Sequence, residues 1–281
     1  MKTLNVLPPM ELLRFVRGIQ YLDLPPTEDG FVIPAQGRST LILPEHTEYT
    51  LDGEIADRVS LQSATVLGPH DTVIVNRTAL PVRGFTVDFT PLGAVKLLGI
   101  PQGELINRGV PADELLSKAW VGELVERVNQ AKDVSTALTA ISDLLVRGSN
   151  HRHAHHDTTL VERALGERST VRRAGHVASV RQIAERLGVS PRHVNREFHR
   201  HFGMGPRRYS LINRVERAMS LITEGAGHDL TSLALDLGFY DYSHFSNEFK
   251  RSASTTPRDF SSSIRHREYQ VVASTPRSMK A

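Results

Sequence analysis

The apolar positions of this chain change period partway along it. Up to residue 89 they fall in short extended runs: Gly18 to Leu24, Gly30 to Ile33, Ser39 to Leu43, Ala64 to Leu67, Thr72 to Val75 and Gly84 to Phe89. Pro25-Pro26, Asp29-Gly30, Asp52-Gly53 and Gly68-Pro69 punctuate these runs with residues that suit turns. Many short strands broken in this way predict a compact β-sandwich or barrel. After Pro91 the spacing becomes three and four. Leu115, Leu124, Val128, Leu138, Ile141 and Leu145 mark amphipathic helices over 111–129 and 133–147. The stretch from Gly148 through His151, His153, His155 and His156 is polar, small and without period, as an interdomain linker is. Everything beyond it reads as helix. The expected fold class is therefore α+β. A β-rich, barrel-like N-terminal domain with a helical tail spans 1–147, a His-rich linker 148–157, an all-α domain 158–267, and a flexible tail 268–281.

The helical half contains a diverged repeat. Ile183-Ala184-Glu185-Arg186-Leu187-Gly188 returns as Leu233-Ala234-Leu235-Asp236-Leu237-Gly238, and past the turn Phe198 matches Phe249 and Pro206 matches Pro257. Each copy reads as helix, glycine turn and capped second helix, the order of a helix-turn-helix. In the first copy Ser179 and Gln182 have the spacing of a capping box. Gly188 suits a left-handed helix end, Ser190 caps the next helix and Pro191 sits at its first position. Val194 and Phe198 face inward there. Arg192, Arg196 and Arg200 lie opposite, with Asn195 at the edge. In the second copy Asp241 is the expected cap, and Phe245 and Phe249 face inward. Ser243, Asn247 and Arg251 lie opposite them, flanked by Tyr242, His244, Ser246 and Lys250. Such a face reads equally as a solvated amphipathic surface or as a major-groove reader. Two copies at fixed spacing favour the reader, since Arg suits guanine and Asn suits adenine.

Charge sharpens the division. The chain has 281 residues and a net charge of +3, but residues 1–150 sum to −5 and residues 151–281 to +8. The basic half holds 19 Arg and 2 Lys. The absence of cysteine excludes disulfides, thiolate metal sites and cysteine nucleophiles. No phosphate-binding glycine loop or nucleophile elbow appears, and the first half has only His46 and His70 as imidazole ligands. No catalysis, cofactor or metal is expected. The linker histidines are read as a flexible polar segment, with transition-metal binding as the alternative. No apolar run is long enough for a membrane span, and the N-terminus lacks the apolar core of a signal peptide, so a soluble cytoplasmic protein is expected, nucleoid-associated if the helical half binds DNA.

Residues 158–267 resemble the DNA-binding domain of the AraC/XylS family of bacterial transcription regulators. The resemblance rests on Ile183-Ala184, Gly188-Val189-Ser190, Arg196-Glu197-Phe198, Phe202-Gly203, Pro206 and Tyr209, and then on Gly238-Phe239, Asp241-Tyr242-Ser243-His244-Phe245-Ser246, Phe249-Lys250 and Pro257. It implies two helix-turn-helix units joined by a long helix, for which residues 206–223 fit. Eighteen residues span about 27 Å at the helical rise, which suits recognition helices about one DNA turn apart. By this resemblance Arg192, Asn195, Arg196, Tyr242, Ser243, His244, Ser246 and Asn247 read bases, and Ser190, Arg200, Lys250 and Arg251 contact the backbone. Three positions depart from the family pattern. Asn247 stands where arginine is common, Ser254 replaces the usual glycine, and Phe260-Ser261 replaces a Tyr-Arg pair.

Phe89-Thr90-Pro91-Leu92-Gly93-Ala94 and Leu97-Leu98-Gly99-Ile100-Pro101 resemble the N-terminal domain of one subgroup of these regulators. That implies effector sensing, homodimerisation or both. Promoter DNA is the expected partner, with RNA polymerase and a small effector as further ones. Two rivals stay open. One is a small-molecule-binding β-barrel whose helical half serves protein contacts; the other is an architectural nucleoid protein.

Overall fold

The computed structural model describes residues 2–26, 31–45, 49–53, 59–61, 63–76, 81–100, 102–151, 157–173, 178–225 and 229–266. Its first part is antiparallel β structure. The strands are β1 (Lys2–Val6), β2 (Val16–Leu24), β3 (Phe31–Ile33), β4 (Thr40–Pro44), β5 (Tyr49–Gly53), β6 (Val59–Leu61), β7 (Thr65–Leu67), β8 (Ile74–Asn76), β9 (Val82–Phe89) and β10 (Gly109–Pro111). They form a six-stranded sheet in the order β1-β2-β9-β4-β7-β10 and a four-stranded sheet in the order β3-β8-β5-β6. A bridge between Gln36 and His70 lies outside the named strands.

All six expected strands appear within the described residues, with ends shifted by a residue or two; Gly30 lies outside them. Asp52-Gly53 is not a turn. It closes β5, where Gly53 pairs with Ile74. Four strands have no counterpart in the sequence reading: β1, β5, β6 and β10. β1 is an edge strand whose Leu4 stays half exposed, so no alternating pattern marks it. β10 is also an edge strand, where its terminal proline costs no ladder bond.

A helical layer follows: α1 (Gly93–Leu98), α2 (Ala112–Leu115), α3 (Lys118–Asn129) and α4 (Val134–His151). The helix expected over 111–129 is thus two, because Leu116 turns extended (φ −123°, ψ 167°) and buries its side chain. Leu124, Ile141 and Leu145 close the core over Ile19, Leu41, Val66, Phe85 and Phe89. α4 runs on to His151, past the expected linker start at Gly148. Gly148 packs beside the Trp120 indole, and that contact gives the helix end a tertiary partner. His153, His155 and His156 lie outside the described residues.

The C-terminal part is α5 (Thr159–Arg173), α6 (Val180–Leu187), α7 (Pro191–Phe202), α8 (Pro206–Thr223), α9 (Leu230–Asp236), α10 (Tyr242–Ala253) and α11 (Pro257–His266). It has two cores. Ile183, Ala184, Val194, Phe198 and Phe202 build the first with Tyr209 and Ile212 of α8. Leu233, Ala234, Phe245, Phe249 and Phe260 build the second with Val215, Ala218 and Met219 of the same helix. One helix is therefore shared between the two units. The expected tail from residue 268 lies outside the described residues. Among those described, no helix is long and apolar enough to cross a membrane.

His70 is fully buried, with Nδ1 3.2 Å from the Gly68 carbonyl and Nε2 2.9 Å from that of Pro34. Burial pushes its pKa down from 6.5 to about 4, against the two carbonyls, which act to raise it. The unfolded chain therefore takes up this proton first as the pH drops. Stability contributed by neutral His70 is complete above pH 6.5 and is lost as the pH falls towards 4. The loss is about 3 kcal/mol at 1.36 kcal/mol per unit. Urea unfolding at several pH values in this window should show it, and His70→Gln should remove it. An equal loss in the variant would refute the assignment.

Candidate nucleic-acid interface

Local chemistry sets both recognition helices. The Ser179 hydroxyl accepts from the Gln182 amide at 3.2 Å, and the Gln182 side chain accepts from the Ser179 amide at 2.9 Å. The α6 start is thus fixed by a reciprocal capping box. α6 ends on Gly188 at φ 68°, a left-handed turn that glycine adopts at little cost. Ser190 then caps α7 through the His193 amide at 3.2 Å, and Pro191 takes the first position. Asp241 caps α10 through the His244 amide at 2.7 Å.

The expected readers fall as follows. On α7, Val194 and Phe198 are fully buried, and Arg192, Asn195, Arg196, His199 and Arg200 are exposed along the other side. Asn195 donates one amide hydrogen to the Pro191 carbonyl at 2.9 Å, which leaves its second amide hydrogen and Oδ1 uncommitted by that bond. Arg196 donates Nε to Glu197 at 3.3 Å. On α10, Phe245 and Phe249 are fully buried, while Ser243, Asn247, Lys250 and Arg251 are exposed. Tyr242, His244 and Ser246 are half-buried between these faces. The His244 ring meets Phe239 edge-on at 5.6 Å, and Tyr242 meets Phe245 at 6.1 Å. The expected residues of α7 thus share one exposed face, whereas on α10 only Ser243 and Asn247 of the expected base readers are fully exposed, and Tyr242, His244 and Ser246 lie at its flanks.

Several residues that shape this surface carry no local sequence signal. Glu216 of α8 accepts from Arg17 at 3.1 Å and from Arg38, both on the N-terminal β domain. Burial alone would raise the Glu216 carboxyl; Arg38 and then Arg17 outweigh it and hold the group below its usual range. Arg208 of α8 pairs with Asp71 at 3.6 Å and with Glu248 of α10 at 3.5 Å. Tyr209 stacks over Gly37, which has no room for a Cβ. The Ser252 carbonyl near the end of α10 accepts from the Ala35 amide at 2.8 Å. At the end of α7, Gly103 lies against the Arg200 carbonyl and Gly203 against Ile106. The N-terminal domain thus touches the connector and the C-terminal ends of both recognition helices. Only long-range packing brings these groups together.

Two capped units on a shared connector helix, with exposed polar faces on their second helices, define a tandem helix-turn-helix domain. Residues 183–263 match the family described as helix-turn-helix domain. Over 77 residues the chain is 35% identical to the HTH-type transcriptional activator RhaS of Salmonella arizonae, and equally to that of Salmonella newport. The match covers 27% of this chain and 27% of each relative, so it spans about a quarter of their length. Among solved structures, apo ToxT from Vibrio cholerae strain SCE256 matches with a TM-score of 0.54 at 12% identity, over 88% of this chain and 97% of that one. ToxT with a bound unsaturated fatty acid matches at 0.51, also at 12% identity, over 86% and 94%. These two share the fold. The C-terminal part of the chain is thus similar to the helix-turn-helix part of these transcriptional activators.

Gly103→Val would drive a side chain into the Arg200 carbonyl. It should destabilise the docked state by about 1–3 kcal/mol, the usual cost of overpacking. Hydrogen exchange over 199–203 should rise, while the caps of α6 and α10 stay protected. Unchanged exchange at 199–203 would refute the docking role of this contact.

Proposed function

We propose that the chain is a sequence-specific transcription regulator that reads two successive major-groove segments of promoter DNA. The observation that carries this reading is the pair of capped recognition helices on one connector, each with an apolar inner face and a polar outer one. Arg192, Asn195 and Arg196 contact bases from α7, with Ser190 and Arg200 on the backbone. Tyr242, Ser243, His244, Ser246 and Asn247 contact bases from α10, with Lys250 and Arg251 on the backbone. The eighteen-residue connector is about 27 Å long at the helical rise and carries one unit on each half, as reading two successive major-groove segments requires. The domain division belongs to this reading: residues 1–147 form the sensing and dimerising part, 148–157 the linker, although α4 runs on to His151, and 158–267 the DNA-binding part. So do a small effector, a homodimer, RNA polymerase as a further contact and a cytoplasmic, nucleoid-associated location. The relatives that the chain matches are transcriptional activators, and an enzymatic role has no place in this scheme.

Arg196→Ala should weaken operator binding by about 1–3 kcal/mol and leave random duplex nearly unchanged, as loss of a guanine contact does. Titrations of both duplexes at several salt concentrations measure this. An equal loss on every sequence, with a shallower salt slope, would instead make Arg196 a phosphate contact. Sedimentation of the full chain with and without operator checks the homodimer; a monomer bound alone at saturation refutes it.

A further inference from the structure

A carboxylate is out of place on a helix that faces phosphates, yet α7 carries Glu197 between its arginines. Its side chain is 11% exposed, far less than that of Arg196 at 67% or Arg200 at 57%. Oε1 lies 3.3 Å from Arg196 Nε and 3.7 Å from His193 Nε2; Oε2 lies 3.8 Å from Arg200 Nη1 and 3.8 Å from His201 Nε2. Four basic side chains therefore surround one carboxylate on a single helix. Of these contacts, the one with Arg196 is a hydrogen bond.

The geometry points to Glu197 as the positioning residue that presets Arg196 for base reading. We infer that its carboxylate holds Arg196 by Nε and leaves the terminal Nη groups for two parallel hydrogen bonds to guanine. A guanidinium has five N–H donors in a planar fork, so one can be committed to the protein without weakening the two that read the base. Ordering a long side chain before binding removes that entropy cost from the complex. The arrangement also explains why a negative charge is tolerated here. It repels every phosphate alike, so it lowers affinity for all DNA while sharpening the choice among sequences. The ordinary alternative is a carboxylate that steadies α7 by ion pairs at helical spacing.

This inference rests on the reading of α7 as a base reader, and one experiment separates the two. An operator is first selected from random duplexes with the wild-type full chain; if no sequence is enriched, the DNA-reading function itself fails. Glu197→Gln keeps the volume and removes the charge. With the selected operator, preference for the cognate pair at the Arg196 position should fall about ten-fold, part of the discrimination that one bidentate contact supplies. Affinity for random duplex should rise about two- to three-fold as a repulsion disappears. Glu197→Asp, which keeps the charge but shortens the reach, should also lose preference, without the gain on random duplex. In an Arg196→Ala background neither substitution should change base preference further. Equal gains on operator and random duplex would make Glu197 a surface charge only. An unchanged preference with a lower unfolding midpoint would make it a helix stabiliser only. Either result overturns the proposal.

Discussion

Glu216 sits on the one helix that both C-terminal cores share, and Arg17 and Arg38 from the N-terminal β domain hold it. A carboxylate gripped in this way is a matter of orientation more than of stability. Removing two charges from water costs several kcal/mol each, and their attraction repays little beyond that. An ion pair does, however, reject misalignment, since a displaced partner leaves a buried charge alone. Arg38 is 5% exposed and has no ready route to solvent. The cluster therefore ties the direction of α8 to the β domain, and α8 carries the two recognition helices with it.

The other contacts between the halves follow from that constraint. Arg208 and Tyr209 lie on the same helix, so Asp71 and Gly37 meet them once Glu216 is seated. The ends of α7 and α10 then come against Gly103 and Ala35. These contacts occupy the C-terminal ends of the recognition helices. The N-terminal ends carry Arg192, Asn195, Tyr242, Ser243 and His244, and helix-turn-helix proteins read bases with that end. The β domain can therefore bear on helix placement without covering the N-terminal halves of α7 and α10.

Most of the C-terminal domain was legible because its signals are local. A cap needs a partner three residues away, so Ser179, Ser190 and Asp241 announce their helices in the sequence. The connector is found at the expected 206–223 because Pro206 and the repeat bound it on either side. What stayed hidden depends on residues far apart. Arg17 and Glu216 are separated by 199 positions, and nothing near either announces the pairing. The charge totals even point the other way, since an acidic half supplies the arginines and a basic half the carboxylate. Glu197 was hidden for another reason. A helical wheel places a residue on a face but does not show that its charge is folded inward among four basic neighbours.

Ser254 shows how a departure from the family pattern is absorbed. It ends α10 at φ 58°, in the left-handed region that glycine enters freely and other residues enter at a cost of about 1–2 kcal/mol. The strain falls two residues beyond Ser252, whose carbonyl is bound by Ala35, and the Ser254 amide still reaches the Lys250 carbonyl at 2.9 Å. Phe245 and Phe249 are buried upstream, and Phe260 packs against Phe249 from α11. The turn is thus held by packing on both sides and by the β domain, which together leave the chain no better conformation there. At Phe260-Ser261 the apolar ring is fully buried in the second core. The direction of the exposed face of α10 is fixed by Phe245 and Phe249, buried on its other side.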